Sequence, residues 1–184
     1  MKTALTLLAV ATAVLAPNSF ASQAGPNLEP AAVRSGIQES EGELSAEVQR
    51  SLDKGDQLSS RLNFAAAARE YRHAVQIARR EGHLPSWTTW KLANAYYNDD
   101  NLLGAATALD QLADEAALVG DLPVQALALF NSAWLHSKAG RNGAAVERVA
   151  RLKGLLRSRY MPVATRDQLL GRLGTPSEIA ANEE

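Results

Sequence analysis

Two stretches carry most of the information about the fold. The first is Lys91-Leu-Ala-Asn-Ala-Tyr-Tyr-Asn-Asp-Asp-Asn-Leu-Leu-Gly-Ala-Ala106 and the second is Asn131-Ser-Ala-Trp-Leu-His-Ser-Lys-Ala-Gly-Arg-Asn-Gly-Ala-Ala145. In each, an apolar run at three- and four-residue steps is broken by a short polar turn and resumes. The turns are Asp99-Asp100-Asn101 and Gly140-Arg141-Asn142-Gly143. Each stretch therefore predicts the inner turn of a helical hairpin.

Sliding the chain over itself extends the pattern. Ala93 and Ala105 align with Ala133 and Ala145, and upstream with Gly55 and Ala67. Two small residues at that spacing, one per helix, let paired helices approach closely. Bulky neighbours fill around them: Phe64 and Tyr71, then Leu102 and Leu109, then Val149 and Leu152. Pro85, Pro123 and Pro162 mark helix starts, where a missing N–H costs little and φ is already set. Helix-turn-helix units at a fixed period indicate a stacked repeat.

The two quoted stretches resemble the core of the tetratricopeptide repeat family, including the turn glycine Gly140. Gly55, Leu58, Phe64, Ala67, Tyr71 and Ala74 fit the same pattern in a first unit. The resemblance covers roughly residues 44–158. Its period is longer than the ~34 residues usual for the family, so extended helices are expected. It implies an all-α fold, a right-handed stack of antiparallel helical hairpins (a tetratricopeptide-like α-solenoid). The expected units are 43–82, 84–119 and 123–158, within a repeat domain 43–173. Thr165 to Leu173 reads as a cap helix, within 163–173, with Leu169, Leu170 and Leu173 inward and Arg166, Asp167 and Arg172 outward. A general helical bundle is the alternative. No segment alternates long enough to predict a strand.

The flanks read differently. Met1-Lys2, the apolar run Thr3 to Ala16, and Ser19-Phe20-Ala21 have the layout of a secretory signal peptide over residues 1–21, cleaved after Ala21. The apolar run is shorter than the ~20 residues needed to span a bilayer. This predicts a periplasmic or secreted protein with no transmembrane segment in its mature chain. Residues 22–42 read as a flexible leader, and 174–184 as an acidic tail. With 19 basic and 20 acidic side chains, the charge balance gives no reason to expect nucleic acid. There is no Cys, so an exported chain must depend on buried apolar surface.

No catalytic constellation is apparent, so the chain is expected not to be an enzyme. It offers no Cys nucleophile, no phosphate-cradling glycine loop and no His pair at zinc-helix spacing. His136 falls on a packed face, and Asp99-Asp100-Asn101 lacks the spaced ligands of a calcium loop. No cofactor and no metal are expected. The basic residues Arg141, Arg148, Arg151, Lys153, Arg157 and Arg159 lie on or near a second helix, where a solvated face is the expectation.

The aromatic residues point to a partner. Trp87, Trp90, Asn94 and Tyr97 step by three, four and three residues and share one helix face. Phe130, Asn131 and Trp134 occupy the matching face of the next unit. In the tetratricopeptide family the first helix of each unit lines the concave groove, so the resemblance implies these seven residues as a contact surface for a peptide or protein of the cell envelope. The same stripe would equally serve as core. Asn94 and Asn131 fall where some family members clamp a carboxylate, but Trp90 replaces the expected lysine. A neutral groove is therefore implied. Two other functions fit the same residues. The rings with Asn94 and Asn98 would suit a glycan or small ligand, and the stack could bury a second copy in a homo-oligomer.

Overall fold

A computed structural model describes residues 44–173. The expected signal peptide, leader and acidic tail lie outside the described residues. These form seven α-helices: α1 Ala46–Ser60, α2 Phe64–Arg80, α3 Ser86–Asn98, α4 Leu102–Val119, α5 Leu122–Lys138, α6 Asn142–Leu156 and α7 Val163–Leu173. Consecutive helices from α1 to α6 pack as antiparallel hairpins, and α7 returns onto α5.

Local chemistry sets the boundaries. Ser45, Asn63, Asn101 and Asp121 each cap a helix by accepting from the backbone N–H three residues on. The expected turn residue Asn101 is thus a cap. Pro85 precedes the first residue of α3, and Pro123 sits in the first turn of α5.

The inner turns of the three hairpins are copies of one another. Leu62 (φ 59°), Asp100 (φ 56°) and Gly140 (φ 73°) are all left-handed. The next residue donates its N–H five residues back each time: Asn63 to Leu58 (3.0 Å), Asn101 to Tyr96 (2.9 Å) and Arg141 to His136 (2.8 Å). This is the closure that satisfies orphan carbonyls at a helix end. Only the third turn uses glycine, so Leu62 and Asp100 carry a steric cost of about 1 kcal/mol each. The turns recur at the offsets already found for the small residues. Between hairpins, His83 to Ala78 (3.0 Å) and Asp121 to Ala116 (2.9 Å) repeat a second closure.

Two apolar clusters result. One joins Val48, Leu52, Ala67, Tyr71, Val75, Ile77, Leu92, Ala95 and Ala108 across the first two hairpins. The other joins Trp90, Ala93, Ala105, Leu109, Leu112, Leu129, Phe130, Trp134, Leu152 and the α7 residues Leu169 and Leu173. Helix α3 is wedged between them, with Leu92 and Ala95 on one side and Trp90 and Ala93 on the other. Ala93, Ala105 and Ala67 are fully buried and Gly55 is buried, as small residues at close helix contacts must be. One expectation for the cap needs correction. Leu170 is 45% exposed while Leu169 and Leu173 are buried, because an eleven-residue helix with one covered side cannot bury adjacent residues equally.

Candidate functional site: a cleft on the first-helix face

The concave-face expectation divides in two. Trp90 is fully buried and Phe130, Asn131 and Trp134 are also buried. The expectation that these four line an open groove is therefore corrected. Trp90 lies in the cluster shared by α3, α4 and α5. Phe130 is in that cluster with Leu169 and Leu173 because α7 folds back onto α5, and Arg172 stands over its ring at 5.9 Å. Asn131 turns its amide into its own helix, donating to the Leu127 carbonyl at 3.0 Å. Trp134 stacks at a tilt on Tyr97, with centroids 5.6 Å apart.

Trp87, Asn94 and Tyr97 are half-buried and reach the surface. Trp87 and Asn94 line an open cleft of about 400 Å³ with Asp56, Ser59, Ser60, Tyr71, Lys91 and Asn98. The cleft runs between α1 and α3, the first helices of two adjacent hairpins. Trp87, Lys91, Asn94 and Asn98 step by four, three and four residues, so α3 supplies a continuous stripe to it.

The floor is a fixed polar assembly. The Tyr71 hydroxyl donates to Asp56 Oδ1 (2.6 Å), and Lys91 Nζ donates to both Asp56 oxygens (2.8 and 3.0 Å). The Lys91 ammonium also stands 5.3 Å from the Trp87 ring centre and 5.8 Å from that of Tyr71. Burial, then the hydrogen bond to Asp56 and its charge, push the Tyr71 phenol well above its ordinary pKa. It therefore stays a donor. The ammonium and the carboxylate thus offset each other's charge with the phenol bonded to them, the Ser60 hydroxyl donates to the Gln57 carbonyl at 2.9 Å, and the amides of Asn94 and Asn98 line the same cleft beside the Trp87 ring. Lys138 repeats the motif on α5, over the Trp134 ring at 5.4 Å and the Tyr97 ring at 5.8 Å.

Sequence reasoning missed Asp56, Ser59, Ser60, Tyr71 and Lys91 as site residues. One local signal was present: a lysine four residues after a tryptophan, at Trp87–Lys91 and again at Trp134–Lys138, brings cation and ring together on a helix. The Asp56–Lys91 pairing had no such signal, since the two lie far apart in sequence.

A second polar node holds the last hairpin. Asp110 on α4 accepts from Ser132 and lies 3.0 Å from His136 Nε2, both on α5. It also receives a fork from Arg148 on α6, at 3.1 and 2.9 Å. Burial raises the Asp110 pKa, but the bonds from Arg148, His136 and Ser132 outweigh it and hold the carboxyl below its ordinary value. Ser132 donates to the carboxylate and not to the imidazole, so the trio does not make an activated serine. Among the described residues, no group of three or more His, Asp or Glu is placed to hold a metal ion.

No family model, no curated protein and no solved structure matches this chain.

Proposed function

We propose that this chain is an exported, non-catalytic repeat module of tetratricopeptide type that binds a peptide segment of an envelope protein in the α1–α3 cleft. The repeat reading, a right-handed solenoid of three hairpins and a cap, is supported by turn geometry that recurs at the interval of the sequence repeat. The export reading rests on residues 1–21.

One observation carries the binding reading: an open cleft between two first helices whose charges are already matched internally. A ligand there gains ring contact from Trp87 and backbone hydrogen bonds from Asn94 and Asn98, and it need not supply a counter-charge. An extended peptide offers both. The test is selection of binders from a displayed random-peptide library, followed by titration. Trp87→Ala with Asn94→Ala should weaken the selected peptides by about thirtyfold or more, the scale of a hot-spot loss. Unchanged circular dichroism would show the fold intact. Peptides that bind both proteins equally would refute the reading.

The polar lining favours a second reading. One ring surrounded by Asp56, Asn94, Asn98 and serine hydroxyls also suits a sugar. Saturable quenching of tryptophan fluorescence by cell-wall fragments, lost in Trp87→Ala, with no peptide selected, would establish it.

A further inference from the structure

The third hairpin and its cap differ in charge from the rest. Residues 141–173 hold eight arginine and lysine side chains against only Glu147 and Asp167. Some of this charge is already matched: Arg148 is held by Asp110 (2.9 Å) and Arg151 by Asp114 (2.7 Å). Arg157 and Arg159, in the connection between α6 and α7, have no carboxylate partner among the described residues. Arg159 lies over the Tyr160 ring at 4.7 Å.

The same two ion pairs fix the register of α4 against α6. Asp110 lies opposite Arg148 and Asp114 opposite Arg151. Continuing one turn places Leu118 and Val119, at the end of α4, opposite the end of α6 and the start of the Arg157–Arg159 turn. Leu118 is 87% exposed and Val119 66%, with Tyr160 and Val163 exposed to a similar degree. Three carboxylates near this end are engaged, Asp114 with Arg151, Glu115 with Arg79 (2.8 Å) and Asp121 as a helix cap, while Asp167, one turn after Val163, is exposed.

We infer that this end of the stack, formed by Leu118, Val119, Arg157, Arg159, Tyr160 and Val163, docks on the surface of an anionic phospholipid bilayer. The arginines meet the headgroup charge, and the tyrosine suits the boundary between headgroup and acyl chain. The aliphatic tips enter the first few ångströms of the apolar layer. The aliphatic residues are what select a bilayer over a soluble polyanion, which would satisfy the arginines and leave Leu118 and Val119 in water. Docking is peripheral, since no helix among the described residues is long and apolar enough to cross a membrane. It uses none of the residues that line the α1–α3 cleft.

The test is co-sedimentation with vesicles of phosphatidylcholine alone or with about one third phosphatidylglycerol. The chain is used both whole and from Ser22 onward, because the apolar run Thr3 to Ala16 would enter any bilayer regardless of headgroup. Binding should require phosphatidylglycerol and weaken with salt. Arg157→Gln with Arg159→Gln should reduce it on the order of thirtyfold, at about fivefold per arginine. Leu118→Ser with Val119→Ser should reduce it severalfold and leave retention on heparin unchanged. All four positions are exposed, so circular dichroism should not move. No sedimentation with anionic vesicles, or sedimentation indifferent to both pairs of substitutions, would overturn the inference. Loss on the arginine substitutions alone, with equally tight heparin binding, would overturn it in favour of a soluble polyanion.

Discussion

Gly55→Ala tests the packing of the first hairpin and the anchoring of the cleft together. A β-carbon on Gly55 would stand 2.4 Å from Tyr71 Cε1, 2.7 Å from Cδ1 and 3.0 Å from Cζ. An unhindered ring could swing aside, but this one is tethered through its hydroxyl to Asp56, with Lys91 above its face. Overpacking of this kind costs about 1–3 kcal/mol. Alanine recovers about 0.8–1 kcal/mol in helix propensity over glycine. The expected net effect is a loss of up to about 2 kcal/mol, read from urea unfolding followed by far-ultraviolet circular dichroism. That corresponds to a Tm lower by up to roughly 10 °C for a domain of this size. The sign should reverse when the ring is gone. In a Tyr71→Val background the three clashing atoms are absent, and Gly55→Ala should then stabilise by somewhat under 1 kcal/mol. The coupling between the two sites is thus about 2 kcal/mol, well above the error of such cycles. If Gly55→Ala stabilises the unsubstituted protein, or shifts both backgrounds equally, the ring does not rest on Gly55 and the account of the cleft floor fails.

Other predictions concern the rest of the core. Asp110→Ala leaves Arg148 and His136 without their shared acceptor and should cost about 3 kcal/mol in urea unfolding. Because the folded-state pKa of Asp110 is depressed, its contribution is fully present above the unfolded value near 4 and is lost as pH falls through the folded value. Part of the wild type's acid destabilisation below about pH 4 should therefore be missing in Asp110→Ala, and an identical pH profile would refute this. Trp90→Ala should cost about 3–5 kcal/mol as a core deletion. Trp90→Phe should cost far less, since the buried indole N–H has no acceptor among the described residues. Equal, small effects of Trp90→Ala and Trp87→Ala would show that Trp90 is not in the core.

Helices and turns were legible because their causes are local. The apolar period, the capping Asn63 and Asn101, and the proline starts act within a few residues, and the hairpins follow them closely. The interval between small residues also carried over, since Gly55, Ala67, Ala93 and Ala105 are buried where two helices close on each other. Chain order alone could not say which side of α3 and α5 stays open. A ring stripe at helical spacing has the same periodicity whether it faces solvent or neighbouring helices, and the amino-acid types do not distinguish the two. The path of α7 decided the matter for Phe130, which lies in one cluster with Leu169 and Leu173. Trp90 and Trp134 were decided by the wedging of α3 and α5 into the second cluster. The cleft likewise depends on packing, because Asp56 and Lys91 meet only when the first two hairpins dock. Local pattern thus set the elements and their spacing. Long-range contact set exposure, because burial depends on neighbours far along the chain that no short window contains.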